Sequence, residues 1–84
     1  MKLGLAVGQA LRNVRTEQNK SLRQISNKCF VSIAHLSEVE RGHKSASPEV
    51  LELIAHKGLG ITTEELLDEI YQALQGKEIT NETL

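Results

Sequence analysis

Apolar residues recur along this chain at three- and four-residue intervals, and nowhere do they alternate with polar ones as a half-buried strand would require. The recurrence breaks at regular places and predicts five helices. The first runs from about Leu5 to Gln18, with Val7, Ala10, Leu11, Val14 and Gln18 on one side and Arg15 at its edge. "NKS" ends it, and Ser21 with Gln24 three residues on forms a capping box for a second helix. That helix reaches about Cys29 and turns Leu22, Ile25 and Cys29 inward. After the short turn "FV", Ser32 caps a third helix and Gly42 closes it. "HKSA" is a loop, and Ser47 followed by Pro48 opens a fourth helix whose inner stripe is Val50, Leu51, Ile54 and Ala55. "GLG" ends that helix, and Thr62 with Glu65 makes a second capping box for a fifth, ending near Gln75. The expected architecture is therefore all-α, one domain over 5–75, with 76–84 ("GKEITNETL") as a frayed tail.

The second and third predicted helices, about 21–42, form a helix-turn-helix, a unit whose second helix can lie in the DNA major groove. Leu22, Ile25, Cys29, Val31, Leu36 and Val39 are the apolar positions that fix the angle between them. On a helical wheel centred on Leu36, Val39 and Ile33 flank it and Glu40 lies only about 40° away. The opposite side carries Ala34, Glu38 and Arg41, flanked by His35 and Ser37. That side is small and rich in hydrogen-bonding groups, which suits close approach to base edges.

Charge sharpens this picture. The whole chain carries a net charge of −1, which does not suggest a partner. Halved, it does: residues 1–44 hold eight basic and three acidic groups, net +5, and residues 45–84 hold two basic and eight acidic, net −6. One end suits a polyanion that the other end repels. Solvated helix faces that differ by chance would give a similar split. A single Phe and a single Tyr leave no stacking platform for single strands.

The segments "LRNVR", "SLRQIS", "VSIAHLSEVERG", "SPEVLELIA" and "ITTEELL", between Arg12 and Leu67, resemble the lambda-repressor/Cro-like (XRE-type) family of helix-turn-helix transcription regulators. Within that family the wording is most similar to regulators of Clp protease genes. The resemblance implies the five-helix fold, a DNA operator with two half-sites, and an activator of proteolysis genes with RNA polymerase as a further partner. It places Ser32, Ile33, Ala34, His35, Ser37 and Glu38 nearest the bases. It also matches Arg15 and Glu40 to a family ion pair, which their wheel positions allow independently. Ser21, Arg23, Lys28, Arg41, His43 and Lys44 are the expected phosphate partners, which position a protein without reading sequence. Four departures stand out, the first being Ser26 where the family's second helix carries an alanine. Phe30 occupies the family's turn glycine and counts against its left-handed geometry, and Leu22 replaces a phosphate-binding glutamine. The step from Ala55 to Leu59 is one residue longer than usual, so the end of the fourth helix is expected to be irregular.

On the fifth helix, Leu66, Ala73, Ile70, Leu74, Leu67 and Tyr71 span about 160°, wider than the roughly 100° one packing contact needs. Leu66 and Leu67 are expected to close the core, leaving Ile70, Tyr71 and Leu74 for a homodimer. A helix that only caps its own bundle is the simpler alternative. One cysteine excludes an intrachain disulfide, and Cys29, His35, His43 and His56 lack metal-ligand spacing. No cofactor motif or nucleophile–base constellation marks an enzyme. With neither leader nor long apolar run, the expected location is the cytoplasm, away from membranes. The competing function is a helical protein-interaction module using the acidic half.

Overall fold

The structure is a computed structural model that describes residues 2–76. Five α-helices occupy Leu3–Glu17 (α1), Leu22–Cys29 (α2), Ile33–Glu40 (α3), Pro48–Leu53 (α4) and Thr63–Leu74 (α5), with a π-helical segment at Ile54–Leu59. No strand occurs among the described residues. The expected caps form. Ser21, Ser32, Ser47 and Thr62 each accept a hydrogen bond from the backbone N–H three residues on, and both capping boxes close reciprocally. Side chains thus satisfy amide donors that the first turn of each helix leaves free.

Helix α1 is the central strut, packing against both α5 and α3, while α2 rests on the π-helical segment. Its buried face is Ala6, Gly8, Ala10, Leu11 and Val14, with Val7 only half-buried. The apolar pattern therefore misplaces part of the stripe, and α1 begins at Leu3 rather than Leu5. The reason is close packing: a Cβ on Gly8 would collide with the carbonyl oxygens of Val39 and Glu40. Small residues carry little hydrophobic signal, yet only they let two backbones approach this closely. Ala6 and Ala10 are fully buried beside it.

The anticipated irregularity after α4 is a π-helix. Its ends, Ile54 and Leu59, face inward with Ala55 and Gly58, whereas Val50 and Leu51 are only half-buried. Gly60 ends the segment in the left-handed region, φ 68°, and the Ile61 amide donates back to the Ala55 carbonyl at 2.9 Å. Gly58 lies against Ile25, where a Cβ would come within 2.8 Å of its Cγ2. The core is closed by Ile25, Cys29, Leu36, Val39, Ile54, Leu59, Leu66, Ile70 and Ala73. Cys29 is a buried free thiol.

Candidate nucleic-acid interface

Helices α2 and α3 are joined by three residues, Phe30 to Ser32, and the turn is left-handed after all: Phe30 adopts φ 61°, ψ 24°. Its N–H donates to the Ser26 carbonyl at 2.8 Å, so the backbone closes α2 as a glycine would. The correction to the sequence expectation is physical. Burial of Cys29 and Val31 on either side fixes the chain path and over-determines a strained dihedral between them. The phenyl ring itself is 91% exposed.

The far end of α3 is locked to α1. The Arg15 guanidinium donates from Nε to Glu40 Oε2 at 2.7 Å and from Nη2 to Oε1 at 3.0 Å, a bidentate pair. Its Nη1 donates to the Lys20 carbonyl at 2.8 Å, tying the α1–α2 connection into the same knot. The hydrogen bond to Glu40 holds the Arg15 pKa above its ordinary value, against the opposing effect of burial. Gln18 adds a second tie, donating from Nε2 to the Leu59 carbonyl at 2.8 Å.

With its ends held, α3 leaves Ser32, Ile33 and Ala34 exposed at its start and His35, Ser37 and Glu38 half-buried further along. The Ser32 hydroxyl accepts from the His35 amide at 3.1 Å. The backbone of the following loop folds over α3, with the His43 amide donating to the Glu38 carbonyl at 2.9 Å. Lys44 Nζ then lies 3.7 Å from Glu38 Oε1, a loose pair between two largely solvent-facing side chains. Arg23, Lys28, Arg41, His43 and Lys44 are all exposed, and Ser21 is exposed at the start of α2. The Ser21 hydroxyl oxygen accepts from the Gln24 amide at 3.1 Å, and its own hydrogen is left to donate outward.

On α5 one expectation is overturned. Ile70 is buried with Leu66 and Ala73, and Leu67 is turned outward. The exposed stripe is therefore Leu67, Tyr71 and Leu74, which are 58%, 58% and 40% exposed and spaced four and three residues apart. α5 packs along α1 by its 66/70/73 line, and the whole apolar arc had to divide about that line. The spacing of Leu67 with Tyr71 and Leu74 was the available signal. Beside the stripe a groove of about 460 Å³ is lined by Glu17, Glu64, Glu65, Asp68 and Glu69. Burial, then the neighbouring Glu17 and Asp68 charges, raise the Glu69 pKa above its ordinary value. Among the described residues no group of three or more His, Cys, Asp or Glu could hold a metal ion, and no helix is long and apolar enough to cross a membrane.

Residues 11–66 match the helix-turn-helix family model. The chain belongs to that family. Within it the chain is of the XRE type that its segments resemble, and it is related to transcriptional regulators. It is 46% identical over 48 residues to the transcriptional regulator ClgR of Mycobacterium tuberculosis, an alignment covering 57% of this chain and 43% of that protein. The aligned part thus spans under half the length of this helix-turn-helix relative. The crystal structure of the clp gene regulator ClgR from Corynebacterium glutamicum is similar with a TM-score of 0.80 and 36% identity, over 87% of this chain and 92% of that one. The restriction-modification controller protein C.Esp1396I, a tetramer in complex with its natural 35 base-pair operator, shares the fold with a TM-score of 0.83 at 20% identity, over 89% of this chain and 97% of that one.

Proposed function

We propose that this domain reads double-stranded DNA by inserting α3 into the major groove, and that it does so as a homodimer joined through α5. The observation that carries the reading is a recognition helix fixed at its inner face by the Arg15–Glu40 pair and left free on the face that carries Ser32, Ile33 and Ala34. In this docking Ile33 and Ala34 meet thymine methyls, Glu38 accepts from cytosine N4, and His35 reaches a base or phosphate. Ser21, Arg23, Lys28, Arg41, His43 and Lys44 hold the backbone, and the two N-termini of α2 and α3 add partial positive charge. The dimer face is Leu67, Tyr71 and Leu74, which would present two reading heads to half-sites about 34 Å apart. The similarity to ClgR supports a finer assignment, activation of Clp protease and other proteolysis genes with RNA polymerase as a further partner. The operator complex of C.Esp1396I supports a paired-site mode.

The test is fluorescence anisotropy on duplexes that the protein selects from a random-sequence library, at two salt concentrations. About five phosphate contacts per protomer give, for one half-site, a log–log salt slope near −4.5, an affinity loss of roughly 500-fold between 50 and 200 mM salt. Glu38→Ala should keep that slope and lose preference for the selected site. Tyr71→Asp should keep single half-site binding and lose coupling between half-sites. Binding that is absent, or indifferent to salt, would remove the DNA reading and leave an interaction module using the acidic α5 groove.

A further inference from the structure

Two non-glycine residues among those described have positive φ, Asn19 and Phe30. Asparagine tolerates the left-handed region because its short side chain bonds locally, and phenylalanine has no such relief. Phe30 also gains nothing by packing, since its ring is almost wholly in solvent. The hydrogen bond that closes the turn uses only its N–H. Glycine or asparagine would therefore serve this turn better, so neither the fold nor the turn accounts for the ring. A single exposed apolar residue is ordinary on a protein surface. An exposed aromatic held in a strained dihedral, at the hinge of the reading unit, is not.

The position of the ring narrows what it can touch. Phe30 lies between Lys28, exposed in the last turn of α2, and Ser32, the N-cap of α3. Two residues separate by no more than about 7 Å along the chain, so the Phe30 backbone lies within that reach of the start of α3. Ile33, the first residue of that helix and three positions on in the chain, is a further exposed apolar group. Lysine and the helix start both favour a polyanion, whereas the phenyl group has no donor for a phosphate. What it can meet on a duplex is apolar surface, the thymine 5-methyl group or the carbons of deoxyribose. We infer that Phe30 is a DNA-contact residue whose ring packs on this apolar surface at the edge of the major groove, beside Ser32, Ile33 and Ala34. The inference rests on the DNA-reading function proposed above.

The experiment compares wild type, Phe30→Gly and Phe30→Asn on the duplex selected by wild type, together with their thermal unfolding. Both replacements accept the left-handed turn. Their Tm should stay level or rise, by up to roughly 8 °C. Their affinity should fall at least about fivefold with an unchanged salt slope, because an apolar contact releases no counterions. Replacing thymines one at a time by deoxyuridine then separates the two surfaces: a loss at one position, seen in wild type and not in Phe30→Gly, assigns the methyl group, and no such loss assigns deoxyribose. Affinity within twofold of wild type in both variants overturns the contact while leaving the DNA reading intact. So does a Tm that falls with the affinity, because the ring then serves the fold. A wild type that selects no duplex overturns both.

Discussion

Removing Glu40 tests whether the reading helix is held in place by one ion pair. Glu40→Ala takes away both acceptors of the bidentate contact and leaves the Arg15 guanidinium with only the Lys20 carbonyl. The two side chains are 14% and 8% exposed, close to the buried limit at which loss of one partner costs about 3–5 kcal/mol. Residual solvent screening of Arg15 argues for the lower end, about 3 kcal/mol. A domain of this size has a total stability of about 4–13 kcal/mol, so the loss is a large fraction of it. At roughly 4–8 °C per kcal/mol, Tm should drop by about 12–24 °C, read by far-ultraviolet circular dichroism. Arg15→Met should be comparably harmful, since it strands the Glu40 carboxylate and removes the donor to Lys20. The double variant Arg15→Met/Glu40→Leu leaves no buried charge, and replacing a buried pair by apolar groups is often close to neutral. It should therefore recover most of the loss: with Arg15→Met and Glu40→Leu each losing about 3 kcal/mol alone and the double about 1, the cycle gives a coupling energy of about 5 kcal/mol. Single variants that each lose less than about 1 kcal/mol, or a double variant that loses their sum, would refute the reasoning.

Two other perturbations probe packing and charge. Gly8→Ala places a methyl group against the Val39 and Glu40 carbonyls. The gain of up to about 1 kcal/mol in helix propensity is outweighed by overpacking, for a net loss of roughly 1–2 kcal/mol visible in urea unfolding; a stabilised variant would contradict the close approach. Glu69 has a raised folded-state pKa, from burial first and the Glu17 and Asp68 charges second. A raised pKa means stability present below the unfolded-state pKa and lost as pH rises through the folded-state value. Glu69→Gln should thus melt slightly higher than wild type at neutral pH, by at most about 0.5 kcal/mol after screening. The advantage should vanish below about pH 4, and a variant less stable at neutral pH would show that the carboxylate is favourably paired.

Most of the fold is legible in the sequence because its signals are local. Four helix starts carry Ser or Thr at the cap, and these set Ser21, Ser32, Ser47 and Thr62 in place from three-residue patterns alone. The irregular segment at Ile54–Leu59 was legible from a length difference of one residue. What escaped was decided by contacts distant in sequence. The Gly8 approach depends on α3, thirty-odd positions away, and glycine gives a hydrophobic scale nothing to register. The choice between Leu67 and Ile70 turned on the rotation of α5 against α1, which a wide apolar arc leaves open. Propensity alone sets Phe30 against a left-handed turn, and the buried neighbours that enforce it, Cys29 and Val31, act through the tertiary fold. At the interface, residue types and exposure on α3 were legible, while the Lys44–Glu38 pair and the Lys20 carbonyl beneath Arg15 depend on loop paths that no motif encodes.

The π-helical segment has a geometric consequence for how the molecule keeps its proportions. Both α3 and α5 are mounted on α1, and the segment from α4 to Gly60 runs between them without spanning the strut. The wider turns of that segment are confined to Ile54–Leu59 and end at Gly60, as slack is taken up in a joint. The distance from the face of α3 to the stripe on α5 is therefore a property of α1, indifferent to the length of the connection. The gauge at which two copies of the domain would straddle a duplex is thus set by the strut, and a shift of α1 by one turn would move it by about 5.4 Å.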